Sequence, residues 1–352
     1  MSMVPRSLHA LRLVGMTGFS GSRGCGAWDD GKREKEKFDQ WEKIVYNTKS
    51  EKKKCENLAE SEFLMNEYII FTDSCCDVAP EVLQQWGVPF ANMTFTFEGE
   101  SREYIDTDIS PKDFYDRMRQ GAVAKTAAIN AASFAQAFEP ILKEGKDILY
   151  VAFSSGLSTT VNSAHMAVED LKELYPDRTI RIVDTLAASA GGGLMVYMAV
   201  EKKNEGASLE ENAQYLESLV PQHCIWFIVD DLEYLKRGGR VSPLVAFAGG
   251  LLGIKPVLQM DSEGHLIKVA TARGRKKAIE ALADKYGQLS YDEKNTPIFI
   301  SHAECEEDAK VLVDMLKQRY GAEVTLLTGI GPVIGSHAGP GTLALFFIGK
   351  HR

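Results

Sequence analysis

The chain has 352 residues, 45% of them apolar and 25% charged, and a formal net charge of −9. That length suggests two domains with ample material for buried cores. No apolar run approaches the ~18 residues a membrane span needs, and the acidic balance lacks the clustered Lys and Arg of a nucleic-acid footprint.

The six cysteines, at positions 25, 55, 75, 76, 224 and 305, include no C-x-x-C pair. Neither a zinc site nor a disulfide framework is indicated, and reduced thiols in a cytoplasmic protein are the simplest reading. Residues 1–64 differ in kind from the rest. A Gly/Ser-rich opening passes into a Lys/Glu-dense run from Lys32 to Lys54 that has no convincing apolar face. We expect a poorly ordered or peripheral extension there, with Met65 a candidate for the real start of the protein.

From Tyr68 onward strands and helices alternate. Tyr68–Thr72 reads as a strand, Pro80–Gln85 as a short helix and Pro89–Phe97 as a second strand. Ser110-Pro111-Lys112-Asp113 is a helix start: a capping serine, proline at the first helical position and an acid at the third. That helix ends at Gly121, and another runs from about Ser133 to Lys143. Asp147–Ala164 is the stretch the rest is organised around. Its apolar, β-branched residues read as a buried strand, stopped by Ser154-Ser155-Gly156 before a helix from Thr160 to Tyr175. Such a strand–turn–helix leaves hydroxyls and backbone N–H groups at one spot, suited to an anionic oxygen; the serines could equally just cap the helix.

Thr179–Asp184 then forms a strand, Ala190–Lys203 a long helix, and Ser208 with Glu211 a capping box. This order implies βαβ units and a largely parallel sheet. Cys224–Val229 is a further strand, and we place a domain boundary near 222–226. After it come a polar Gly-rich stretch (230–242) and a small-residue apolar segment, Pro243–Ile254, that packs closely either on itself or around a ligand tail. His265–Ala272, Thr296–Ser301, Glu323–Thr328 and Leu343–Ile348 are strands. Helices at Lys276–Tyr286 and Glu306–Tyr320 separate three of them.

Several fragments only approximate known motifs. Gly156-Leu157-Ser158-Thr159-Thr160 lacks the second glycine of a nucleophile elbow. Gly329-Ile330-Gly331 through Gly335 misses the dinucleotide spacing, with no evident helix after it. His302-Ala303-Glu304 lacks the P-C-x-x-C of a zinc deaminase. His337 is more informative: at the end of a strand-like run, flanked by Gly335, Ser336, Ala338 and Gly339, it is sterically open to a ligand. It can donate to an anion whether neutral or charged.

I-I-F-T-D-S (69–74), K-T (125–126), S-S-G-L-S-x-T (154–160), L-K-R-G-G-R-V-S (235–242), L-L-G-I-K-P (251–256), T-A-R (271–273) and S-H-A-G-P-G (336–341) occur in that order. In this ordered set the chain, from Tyr68 to Lys350, resembles the DegV family of bacterial fatty-acid-binding proteins, the acyl-presenting subunits of fatty acid kinase. The resemblance implies an α/β, two-domain fold. A mainly parallel sheet with flanking helices would occupy 65–224 and a smaller α/β domain 225–352, with a fatty acid between them. It also implies that Thr126, Ser158 and His337 bind the carboxylate, and that Arg240 and Arg273 serve the acyl-phosphate end and the kinase encounter. The expected partners are a long-chain fatty acid, a separate fatty acid kinase catalytic subunit and, transiently, a membrane surface; no nucleic acid, metal or cofactor is expected. The chain departs from the family where Ala127-Ala128-Ile129 replaces S-Q-P, removing polar groups beside the carboxylate. Two rival readings stay open: a Ser/His hydrolase using Ser158 and His337 with Asp73 or Asp184 as orienter, and a phosphotransfer subunit like those of dihydroxyacetone kinases.

Overall fold

The structure, a computed structural model, describes residues 67–241, 253–291 and 296–352. The readings made for residues 1–64, for Met65 and for most of Pro243–Ile254 lie outside those residues. Asn66–Arg352 form one compact unit.

The chain enters through β1 (Tyr68–Asp73), α1 (Pro80–Gln85), the two-residue β2 (Phe90–Ala91) and β3 (Thr94–Phe97). It continues through α2 (Pro111–Arg119), β4 (Ala124–Ala127), α3 (Ala131–Lys143), β5 (Asp147–Ala152), α4 (Thr160–Leu174) and β6 (Ile180–Asp184). β2, β1, β5 and β6 pair in that order as a parallel sheet. Every residue of β5 is buried, as expected of a central parallel strand covered on both faces. β3 and β4 form a separate antiparallel ribbon.

α5 (Ala190–Asn204) and α6 (Leu209–Leu219) lead to β7 (His223–Ile228) and the short α7 (Glu233–Arg237). Then come β8 (Ile254–Met260), β9 (Leu266–Arg273), α8 (Arg275–Leu289), β10 (Ile298–His302) and α9 (Glu306–Tyr320). β11 (Leu326–Gly329), α10 (Pro332–Ala338) and β12 (Leu343–Ile348) complete the described chain. The second sheet has the order β11-β10-β12-β7-β8-β9, and only its β10–β11 pair is parallel.

Three apolar clusters hold these layers. An aromatic-rich one joins β1 and β5 to α2, α3 and α4 through Phe71, Phe114, Phe134, Phe138 and Tyr150. A second spans the two sheets by way of α5, with Leu194 and Val196 in one cluster with Leu149, Ile225 and Phe346. The third covers the opposite face of the six-stranded sheet with α8 and α9. Among the described residues, no helix is long and apolar enough to cross a membrane.

The helix starts at Ser110 and Ser208 are formed as read. Each serine accepts its N3 backbone N–H, and Glu211 closes the capping box. Two readings are corrected. The strand expected over Pro89–Phe97 is two strands, because Phe90–Ala91 pairs with β1 whereas Thr94–Phe97 turns away to pair with β4. The run ending at His337 is helical. Pro332 occupies the first turn of α10, and the N–H groups of Gly331 and Val333 are taken by the carboxyl groups of the buried Asp77 and the half-buried Asp106. Gly335 inside the helix hid it, since glycine disfavours helix interiors, and Gly331 and Gly339 are the caps at its two ends.

Candidate functional site

Four of the five residues singled out from the sequence line one cavity: Thr126, Ser158, Arg240 and His337. Thr126 sits on β4 opposite Phe95. Ser158 lies in the turn between β5 and α4, Arg240 just after α7, and His337 in the last turn of α10. The fifth, Arg273, ends β9 opposite Ile254. It is exposed and outside the cavity wall.

Long-range contacts fix these positions. Tyr115 donates its hydroxyl to the Ile330 carbonyl at 2.8 Å, and its ring occupies the space a side chain at Gly335 would need. At the other end of α10, the His337 imidazole lies against the Cα of Gly238, where a Cβ would collide with Nδ1. This is the one glycine in the R-G-G-R stretch that close approach requires. His337 Nε2 is then 2.8 Å from Thr126 Oγ1, while Nδ1 is buried without a hydrogen-bond partner. Burial, and secondarily the Arg240 charge, push the imidazole down to about 4, so the ring is neutral near pH 7.

Ser158 Oγ is 2.8 Å from Thr160 Oγ1 and accepts the Thr160 N–H at 3.2 Å. The serine therefore does help cap α4. Either hydroxyl can be the donor of the first bond, and Thr160 Oγ1 also lies 3.9 Å from Met93 Sδ, to which it can donate. Arg240 donates Nε to the Leu157 carbonyl at 3.2 Å and Nη1 to that of Gly238, bridging the two loops that flank the site.

Apart from Cys75, Ser189 and Thr342, the rest of the cavity is lined by apolar residues. Ile225 and Phe227 of β7, Met260 of β8, Leu266 of β9, and Ala344 and Phe346 of β12 form one wall. Side chains alternate across a strand, so residues 225 and 227, and 344 and 346, share the face turned toward the parallel-sheet layer. The slot holds about 720 Å³ of empty space, a figure that includes space open to solvent.

A hydrolytic triad is not assembled. His337 bonds to Thr126 rather than Ser158. Asp73 is occupied by the Tyr150 hydroxyl and the N–H groups of Cys75 and Phe153, and Asp184 by those of Ser155 and Leu186. Among the described residues, no group of three or more His, Cys, Asp or Glu is placed to hold a metal. Sequence reading missed Thr160 and Thr342, whose hydroxyls bond at the site's edge. It also missed Asp77 and Asp106, which hold α10; no spacing signal marks residues joined only through loops.

A largely apolar slot, partly open to solvent, with hydroxyls, an imidazole and a guanidinium in its wall offers apolar contact together with hydrogen-bond donors suited to an anionic group. The chain belongs to the DegV family, whose model, described as uncharacterised proteins of the DegV family, matches residues 68–350. A DegV domain-containing protein of Clostridium perfringens is 41% identical over 289 residues, which is 82% of this chain and 99% of that protein. Among solved structures, a fatty-acid-binding DegV family protein of Thermus thermophilus superposes with a TM-score of 0.73 at 33% identity, over 80% of this chain and 99% of its own. A Thermotoga maritima protein with fatty acid binding function superposes with a TM-score of 0.70 at 29% identity, over 81% and 99%.

Proposed function

We propose that this protein binds a long-chain fatty acid in the slot and presents its carboxylate to a separate kinase, which forms the acyl phosphate from ATP. The observation that supports this reading is that Thr126, Ser158 and His337 line one largely apolar cavity, with Thr126 and His337 in direct contact. Each methylene removed from water is worth about 0.8 kcal/mol, so the slot supplies affinity while the polar end supplies orientation. His337 Nε2–H donates to Thr126 Oγ1, which turns the threonine hydrogen toward one carboxylate oxygen, and Ser158 donates to the other. Such bonds to an ionised acceptor are the strong kind. In this reading the chain carries out no chemistry of its own and works in the cytoplasm, meeting membrane surfaces transiently. Arg240 stands beside the future acyl phosphate, and the exposed Arg273 faces the kinase; an arginine fork suits phosphate or carboxylate partners.

The test is native mass spectrometry of the full chain purified from a bacterial host, followed by solvent extraction and lipid analysis. A stoichiometric fatty acid is expected, and it should be lost in the Ser158→Ala, His337→Ala double variant. A mass without ligand that stays unchanged when fatty acids are added would defeat the proposal.

A further inference from the structure

β7 lines the slot with Ile225 and Phe227, and alternation puts His223 next on the same face. His223 pairs with Ile348 in the sheet, one step beyond the Phe346–Ile225 pair. It is fully buried, and both imidazole nitrogens lack hydrogen-bond partners. Phe346, which lines the slot, borders Gly191 together with His223. A Cβ built on Gly191 would lie 2.8 Å from the Phe346 ring and 3.4 Å from His223 Cε1, so glycine there leaves the two rings in place. Arg352 closes the same region. Its guanidinium donates to the carbonyls of Leu186 and Val220, its Nε is buried without a partner, and its charge acts on His223. Leu186 stands two residues before the slot-lining Ala188.

A buried polar group ordinarily has a partner. Here two side chains leave three nitrogens without one, behind the slot wall farthest along β12 from the His337 end. From Thr342, beside that end, to Ile348, opposite His223, is about 20 Å at about 3.4 Å per strand residue. An extended hydrocarbon whose bonds of about 1.5 Å each advance about 1.3 Å covers that span with about fifteen bonds, the length of hexadecanoic acid.

We propose that His223, assisted by Arg352, is a second polar subsite that accepts an oxygen at the distal end of the bound acyl chain. The preferred ligand class is then ω-oxygenated long-chain fatty acids. A neutral imidazole offers one acceptor and one donor, and Arg352 Nε adds a donor, so an ω-hydroxyl is satisfied in both directions. Phe346 must turn aside for the hydroxyl to reach the ring, and Gly191, which carries no side chain, borders that movement.

The inference rests on the fatty-acid reading above, and the experiment separates the two. Dissociation constants are measured for the full chain with hexadecanoic acid, its ω-hydroxy and ω-carboxy analogues, and a mid-chain hydroxy acid. A hydroxyl buried in an apolar site without a partner weakens binding on the order of tenfold. The mid-chain acid should show that loss, whereas the ω-hydroxy acid should bind at least as tightly as the parent; an equal or greater gain for the ω-carboxy acid would assign Arg352 the larger share. His223→Leu should cost the ω-hydroxy acid on the order of tenfold and leave hexadecanoic acid within a factor of two, with His223→Gln restoring part of the loss. Wild-type binding of the ω-hydroxy and ω-carboxy acids as weak as that of the mid-chain acid would overturn the subsite without reference to any variant, and would point to internal water as the partner of His223. Equal losses for parent and analogue in His223→Leu would also overturn it. Failure of every acid to bind wild type would defeat the fatty-acid reading itself.

Discussion

Thr126 Oγ1 and His337 Nε2 lie 2.8 Å apart across 211 positions of sequence, and this contact ties the antiparallel ribbon to the last helix. Thr126→Val and His337→Ala should each weaken fatty-acid binding by about 10- to 100-fold, the worth of a hydrogen bond to a charged acceptor. Because the two act as one unit, the double variant should lose far less than the product of the single losses. Calorimetric titration of the three proteins checks this, and full additivity would mean that the residues bind independently.

Gly238→Ala is expected to disable the site without contacting a ligand. The added methyl would take the place of His337 Nδ1 and push the imidazole off Thr126. Binding should fall to the level of His337→Ala, while circular dichroism and melting stay near wild type.

Ala344 leaves the slot open between Phe227, its partner across β7, and Phe346 two residues on. Ala344→Phe should exclude long chains while shorter acids still bind. Filling an existing cavity costs less stability than overpacking a dense core, for which about 1–3 kcal/mol is typical. A chain-length series of binding constants reads the effect, and an unchanged preference would place the tail elsewhere.

Asp106 supplies a pH dependence. Burial pushes its carboxyl up to about 7, against the opposing bond from the Val333 N–H. A carboxyl raised on folding contributes stability that is full below its unfolded value and is lost as pH rises through the folded one. His337, pushed down to about 4, has the opposite slope, its contribution being full above its unfolded value and lost as pH falls. The two oppose each other between about pH 4 and 7, so wild type alone is uninformative. Asp106→Asn keeps an oxygen for Val333 and cannot ionise. Its stability relative to wild type should therefore climb from about pH 4 to about pH 7, measured by urea denaturation at each pH.

Arg273 is exposed and makes no side-chain hydrogen bond or ion pair among the described residues. Arg273→Glu should leave fatty-acid affinity unchanged yet abolish acyl phosphate formation when a fatty acid kinase and ATP are added. Loss of binding itself would place Arg273 in the pocket.

Local signals in the sequence carried much of this architecture. The caps at Ser110 and Ser208, the apolar run of β5 and the spacing of helices α8 and α9 are written in neighbouring residues, and each element formed within a few positions of its expectation. Elements lacking such a signal were missed. β4 is four residues of mixed character, α7 is five residues in a polar stretch, and β8 follows a Gly-rich segment. Helix α10 was misread because its glycines serve close approach to Tyr115 and Tyr234 rather than flexibility.

The sequence by itself determined the family and the alternation of strands and helices, because ordered motifs and periodicities are properties of short stretches; the family resemblance singled out four residues that line one cavity. Only the tertiary structure decided that Thr126 meets His337, that Arg273 stands outside the pocket, and that His223 lies buried against Gly191, beside which Phe346 also packs. Those relations come from the packing of faces whose residues are far apart in the chain, and such packing leaves no periodic trace in the residues it joins.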